Sequence, residues 1–172
     1  MKNNHVELSI VTPDGQFTAR YTEEGLAELD FPNGHRPTRG NEAENGADGD
    51  SSRRLPRVRK WHRATESALK TILTGREPKE FPPLAMAGTD FQKSVWRQLR
   101  KISRGKTKSY GEIAQAIGKP NAVRAVGGAC GANPIPVLVP CHRVLAANKK
   151  IGGFSGGLDW KRRLLAREGV SL

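Results

Sequence analysis

With 172 residues and 36% hydrophobic content the chain is long enough to bury a core unaided, and two cysteines are too few for a disulfide framework or a four-thiolate zinc site. The opening MKNNHVELSIVTPDG has no basic flank leading into an apolar run, and no window approaches the roughly 18 apolar residues of a membrane span, so a soluble, cytoplasmic protein is expected. The formal net charge of +12 is one-sided: Met1 to Pro82 hold 13 Lys and Arg against 13 Asp and Glu, whereas Pro83 to Leu172 hold 16 against 4.

Such a field suits a polyanion-binding surface, because each neutralised phosphate releases a counterion and adds sequence-independent affinity; the alternative is a solvated basic face. In chain order, HVELSIVTPDGQFTARYTEEGLAELDF alternates on either side of Pro13-Asp14-Gly15, which predicts a hairpin and a third strand near Leu26 to Phe31. Residues 34–56 are polar, charged and poor in large apolar side chains, which predicts a mobile loop. Val58 to Leu73 places Trp61, Ala64, Ala68, Leu69, Ile72 and Leu73 at helical spacing, with Gly75 as the stop. The prolines of EPKEFPPLAMAG forbid a long helix, and the boundary of an N-terminal α/β domain, residues 1–82, falls there.

Residues 83–172 read as a mainly helical domain, giving an α+β protein overall. Thr89-Asp90 caps a helix that repeats Phe91, Val95, Trp96, Leu99 and Ile102 at three- and four-residue intervals. YGEIAQAIG, a turn through Lys119-Pro120-Asn121, and a small-residue helix from Ala122 to about Ala132 read as a helix-turn-helix. Ala122, Ala125, Gly127, Gly128 and Ala129 make that second helix slim, for tight helix packing or for close approach to DNA. IPVLVP leads into Cys141, KKIGGFSGG is a glycine-rich loop, and Leu158 to Glu168 forms a last helix on Trp160, Leu164 and Leu165, closed by Gly169.

The chemistry-bearing pair is Cys141-His142. An isolated thiol is often an inert core residue, but a nucleophilic one needs thiolate character from a base or a cationic setting, which His142, Arg143 and the positive half supply. A base needs an orienting acid, and the cationic half holds only Asp90, Glu112, Asp159 and Glu168. Glu168 stands out because an acid at a helix C-terminus opposes the helix dipole; it is either that partner or a surface residue with basic neighbours.

The segments GTDFQKSVWRQL, SYGEIAQAIG, AVRAVGGACGANP, NPIPVLVPCHRV and GGFSGGLDWKRRLLAREG together resemble the O6-alkylguanine-DNA alkyltransferase family, the methylated-DNA-protein-cysteine methyltransferases, almost continuously from about Gly88 to Val170. The resemblance implies a suicide methyltransferase that flips O6-alkylguanine, and O4-alkylthymine as a second lesion, out of double-stranded DNA and moves the alkyl group irreversibly to Cys141 in a single turnover, without metal or other cofactor. It implies His142 as the base acting through a water, Glu168 as its orienting acid, Asn133 as the brace of the active-site turn and Tyr110 as donor to the guanine ring. Arg124 would be the finger that fills the stack from the minor groove, on a DNA-binding face with Ala125, Gly127, Gly128 and Tyr110. Val144, Phe154, Ser155 and Gly156 would hold the extruded base. The expected partner is alkylated duplex DNA, with no membrane, and the protein is expected to be a monomer.

Two positions depart from the family pattern: Cys130 stands where relatives often carry a larger apolar residue, and Phe154 where tyrosine is common. The N-terminal half has no cysteine, so the thiolate zinc site of some relatives cannot form there. The competing functions are a non-catalytic helix-turn-helix or lesion-flagging DNA-binding protein, and a cysteine hydrolase using Cys141 and His142.

Overall fold

The computed structural model describes residues 5–32, 34 and 51–172, so most of the expected mobile loop lies outside the described residues. β1 (Val6–Thr12), β2 (Gly15–Tyr21) and β3 (Leu26–Asp30) form an antiparallel sheet in that order. The hairpin register pairs Thr12 with Gly15, as the Pro-Asp-Gly signal predicts. One face buries Ile10, Phe17, Ala19 and Tyr21.

Helix α1 (Ser51–Leu73) starts earlier than its apolar pattern, taking residues 51–56 out of the expected loop. The sequence SSRRLP of that stretch holds one large aliphatic residue, Leu55, so it carries no apolar periodicity that could mark a helix, and its Pro56 argues against one. α1 buries Val58, Ala68, Leu69, Ile72 and Leu73. It stops at Gly75, which has φ +72° and approaches so closely that a Cβ there would lie 2.0 Å from the Arg167 carbonyl oxygen.

The extended segment after α1 lies along the sheet edge: Leu26 N–H donates to Pro83 O at 2.8 Å, and Ala85 N–H to Leu26 O at 2.7 Å. β3 receives a second segment from the C-terminal half, with Leu29 N–H donating to Pro134 O at 2.9 Å. A single buried cluster runs from Ile10 and Phe17 through Trp96 and Val126 to Trp160.

α2 (Asp90–Leu99) opens with a full capping box between Thr89 and Gln92. A short β4 (Lys108–Ser109) leads into α3 (Tyr110–Ala116), which a turn joins to α4 (Val123–Gly131), and these two helices pack on each other and on α2. β5 (Val144–Leu145) and α5 (Leu158–Arg167) complete the fold. Arg167 on α5 pairs with Asp14 of the β1–β2 turn at 2.7 Å, tying the two ends of the chain together. No helix among the described residues is long and apolar enough to cross a membrane.

Candidate active site

Cys141, His142 and Arg143 form a 3-10 turn that runs straight into β5. β4 pairs in parallel with β5, Lys108 beside Val144 and Ser109 beside Leu145. Tyr110 follows β4 directly, so this short ladder is what brings its ring to the thiol turn. The turn is sealed from solvent, with Cys141 3% and His142 0% exposed.

Asn133, just beyond α4, organises the approach to the thiol. Its Nδ2 donates to Val139 O at 2.8 Å and lies 3.2 Å from Cys141 Sγ, while its Oδ1 accepts from Ile135 N–H at 3.0 Å. The loop so held carries Val137 at φ 75°, a left-handed conformation that a β-branched residue adopts only where its surroundings enforce it.

His142 Nε2 lies 2.8 Å from Glu168 Oε1. Burial lowers the His142 pKa against the pull of Glu168, leaving a neutral ring. With a carboxylate beside Nε2, the network assigns the proton to Nε2 and the free lone pair to Nδ1. Nδ1 is buried and has no hydrogen-bond partner among the described residues.

Glu168 caps the C-terminus of α5, where its charge opposes the helix dipole. The compensation comes from elsewhere: Arg143 Nε and Nη2 reach its carboxylate at 2.9 to 3.1 Å, and Gly105 N–H donates at 3.3 Å. Burial alone would raise its pKa, but the bonds from His142 and Arg143 win and hold it down at about 2. Arg143 is fixed in turn by donation to Ile102 O at 2.6 Å.

Lys161 on α5 is fully buried, and its Nζ donates to Val144 O at 2.6 Å and Gly153 O at 3.0 Å. Burial lowers its pKa to about 8, although the nearby thiols of Cys141 and Cys130 favour its charged form. Burial likewise pushes Cys141 up to about 11, against the Asn133 hydrogen bond and the Lys161 charge. The resting thiol is therefore protonated near neutral pH and needs a base to become a nucleophile. Cys130 is buried beside it and pushed up further by the same cause, which makes it the poorer nucleophile.

The glycine-rich loop lies over this cluster. Burial raises the Tyr110 pKa, opposed by a hydrogen bond to the Gly153 backbone, so its hydroxyl stays protonated. Ser155 Oγ is buried without a protein partner. Val144 and Gly156 are buried, and the half-buried Phe154 turns its ring to Phe31. Arg124, Ala125 and Gly128 are exposed on α4, with Gly127 half-buried beside them, while Val126, Ala129 and Cys130 face the core. A Cβ added at Gly127 or Gly128 would meet nothing within 4 Å, so internal packing does not require their smallness.

A family model described as 6-O-methylguanine DNA methyltransferase, DNA binding domain, matches residues 90–170. A methylated-DNA–protein-cysteine methyltransferase of Methanosarcina barkeri is 40% identical over 159 residues, spanning 92% of this chain and 94% of that protein. The chain belongs to the methylated-DNA–protein-cysteine methyltransferase family. A Methanosarcina acetivorans member is 57% identical over 86 residues, and that match spans 50% of this chain and about half, 55%, of the relative. A member from Mycolicibacterium paratuberculosis is 56% identical over 85 residues, spanning 49% of this chain and 52% of the relative. The crystal structure of Mycobacterium tuberculosis OGT in complex with DNA superimposes with a TM-score of 0.71 at 35% identity, covering 93% of this chain and 90% of that one.

In this methyltransferase-family chain, the structure brings Cys141 to Asn133 and His142 to Glu168, with Tyr110 beside the thiols, while Arg124, Ala125 and Gly128 lie on an exposed helix face. Sequence reasoning placed Arg143 in the cationic setting of the thiol but not on Glu168, and it missed Lys161 as part of the site. Lys161 carried a signal: it shares a helix face with Leu164 and Leu165, three and four residues on, so the phase of α5 places it inside.

Proposed function

We propose that the protein repairs DNA by extruding O6-alkylguanine from the duplex and transferring the alkyl group irreversibly to Cys141 Sγ. The observation that carries this reading is the buried chain of partners behind the thiol: Asn133 on Sγ, and His142 oriented by Glu168, which Arg143 holds in turn. A neutral imidazole protonated on Nε2 keeps a lone pair on Nδ1, the atom free to take the thiol proton through a bridging water. The sulfur then attacks the alkyl carbon in line, the carbon–oxygen bond breaks with its electron pair on the base, and a thioether remains. Tyr110 donates a hydrogen bond to the base as it gains charge, and the base leaves as neutral guanine carrying the proton the thiol gave up. Glu168 stays ionised and stabilises the imidazolium that forms in between.

No residue near Cys141 offers a way to cleave a thioether, so each molecule acts once. The exposed face of α4 serves the extrusion step. Arg124 takes the vacated place in the stack from the minor groove, while Gly127 and Gly128 let the helix backbone lie close to the DNA; flipping costs about a few kcal/mol, offset by contacts to phosphate from the cationic half. The unpartnered Ser155 Oγ, with the backbone of Val144, meets the edge of the flipped base. A relative of known structure was solved with DNA, which supports the same partner for this chain.

Incubation with duplex DNA containing O6-methylguanine, followed by peptide mass analysis, tests the reading. A methyl-sized gain on the peptide holding Cys141, absent from Cys141→Ala, is the expected result; an unmodified Cys141 peptide under conditions where the DNA is bound rejects it.

A further inference from the structure

The loop over the thiol turn is held from three directions, and one of them comes from the N-terminal sheet. From the C-terminal half, Lys161 Nζ donates to Gly153 O at 3.0 Å, and the Tyr110 hydroxyl stands against Gly152, where an added Cβ would lie 2.9 Å from it. The third contact is Phe31, the residue that follows β3. Its ring is 3% exposed and packs edge-on against Phe154, with centroids 5.7 Å apart and planes at 71°. It also packs at 5.0 Å against Trp160, which opens α5 immediately after the loop. Gly156 sits directly on it: a Cβ at that position would stand 2.4 Å from Phe31 Cε2, so no larger residue fits without displacing the ring.

Phe31 therefore touches the loop at Phe154 and at Gly156, on both sides of Ser155. Its far side is backed by Phe17 of β2 at 5.6 Å, inside the sheet core. A buried aromatic ring has few rotamers and close-packed neighbours, so it transmits the position of the sheet to whatever rests on it. We infer that Phe31 is a positioning residue for the reaction: it sets the height of loop 152–157 over Cys141 and so governs capture of the alkylated base, without touching the base itself. The inference rests on the reading of this loop as the wall that holds the extruded base.

The aromatic contact contributes to the closed loop and not to the sulfur chemistry, so its loss weakens base capture and leaves the transfer step alone. The test is the rate of Cys141 benzylation by free O6-benzylguanine as a function of its concentration, in wild type, Phe31→Leu and Phe17→Leu, with thermal midpoints measured for each. Phe17→Leu thins the backing of Phe31 and of Trp160 but keeps the ring that meets Phe154 and Gly156, so it reports core loosening with the loop contact still present and is expected to have the smaller effect. Phe31→Leu is expected to raise the half-saturating concentration about three- to tenfold, the range an aromatic pair spans, while the limiting rate stays within about twofold. Affinity for an undamaged duplex, which relies on α4, stays at its wild-type value. Phe154→Leu added to Phe31→Leu raises the half-saturating concentration by less than it does alone, because the contact is already gone. If Phe17→Leu, at an equal loss of thermal midpoint, raises it as much as Phe31→Leu, or if Phe31→Leu lowers the limiting rate instead, Phe31 is only a core residue and the inference fails. If wild type is benzylated and Phe31→Leu saturates at the wild-type concentration, the inference fails and the proposed function stands; if wild type takes up no benzyl group, both fall.

Discussion

Nδ2 of Asn133 lies 3.2 Å from Sγ of Cys141, and the same amide fixes the turn that leads into the thiol through Val139 O and Ile135 N–H. A donor aimed at sulfur favours the thiolate, and this one works against the burial that, even so, pushes Cys141 up to about 11. Asn133→Ala removes the donor and leaves the buried Ile135 N–H without its acceptor, which costs about 1–3 kcal/mol, while Val139 O keeps the Cys141 N–H. The expected outcome is a lower urea midpoint together with a thiolate titration, followed by ultraviolet absorbance, that moves to higher pH. A thiol titrating as in wild type would mean that the amide serves the fold alone.

The ion pair behind His142 gives a pH signature. Glu168 titrates near 4.5 in the unfolded chain and near 2 in the folded one, so its contribution to stability is present above about 5 and is lost as pH falls towards 2. Glu168→Gln leaves Arg143 buried without its main counter-charge, at a cost of about 3–5 kcal/mol near pH 7. Urea unfolding from pH 7 to pH 2 is expected to show wild type falling towards the variant, with the gap closing in the acid range. Alkyl transfer by the variant at pH 7 should fall about a hundredfold or more, the scale of a displaced general base.

On α4, stability and function are expected to move in opposite directions. Gly128 is helical and exposed, and a Cβ there meets nothing within 4 Å, so Gly128→Leu raises helix propensity by about 0.5–1 kcal/mol without a clash. The variant should melt at a higher temperature than wild type and yet repair duplex DNA more slowly, because the added side chain holds the helix away from the groove. Its reaction with free O6-benzylguanine should be unchanged, as should that of Arg124→Ala. Duplex repair at the wild-type rate in the stabilised variant would remove α4 from the DNA interface.

Much of this arrangement was legible in the sequence because its signals are local. The Pro-Asp-Gly turn, the Thr89–Gln92 cap and the apolar stripes of α2 and α5 each specify their own element. Cys141, His142 and Glu168 stood out as a thiol, a base and an acid misplaced on its helix dipole. Other features depend on contacts between distant parts of the chain. Arg143 reads as one more cation in a basic half until Glu168 is brought to it, and Phe31 reads as the end of a strand until the loop some 120 residues later lands on it. The start of α1 was hidden for a different reason: residues 51–56 read SSRRLP, with a single large aliphatic residue and a proline, so no periodicity marks them as helix.

The central claim is that Cys141 accepts one alkyl group and keeps it. The direct measurement is the amount of label transferred to protein from an excess of duplex DNA carrying O6-[3H-methyl]guanine, followed until it stops. A plateau at one methyl per protein molecule, all of it on the Cys141 peptide and none in Cys141→Ala, is the expected result. Continued conversion of DNA beyond one equivalent, or label that settles on any other residue, would contradict it.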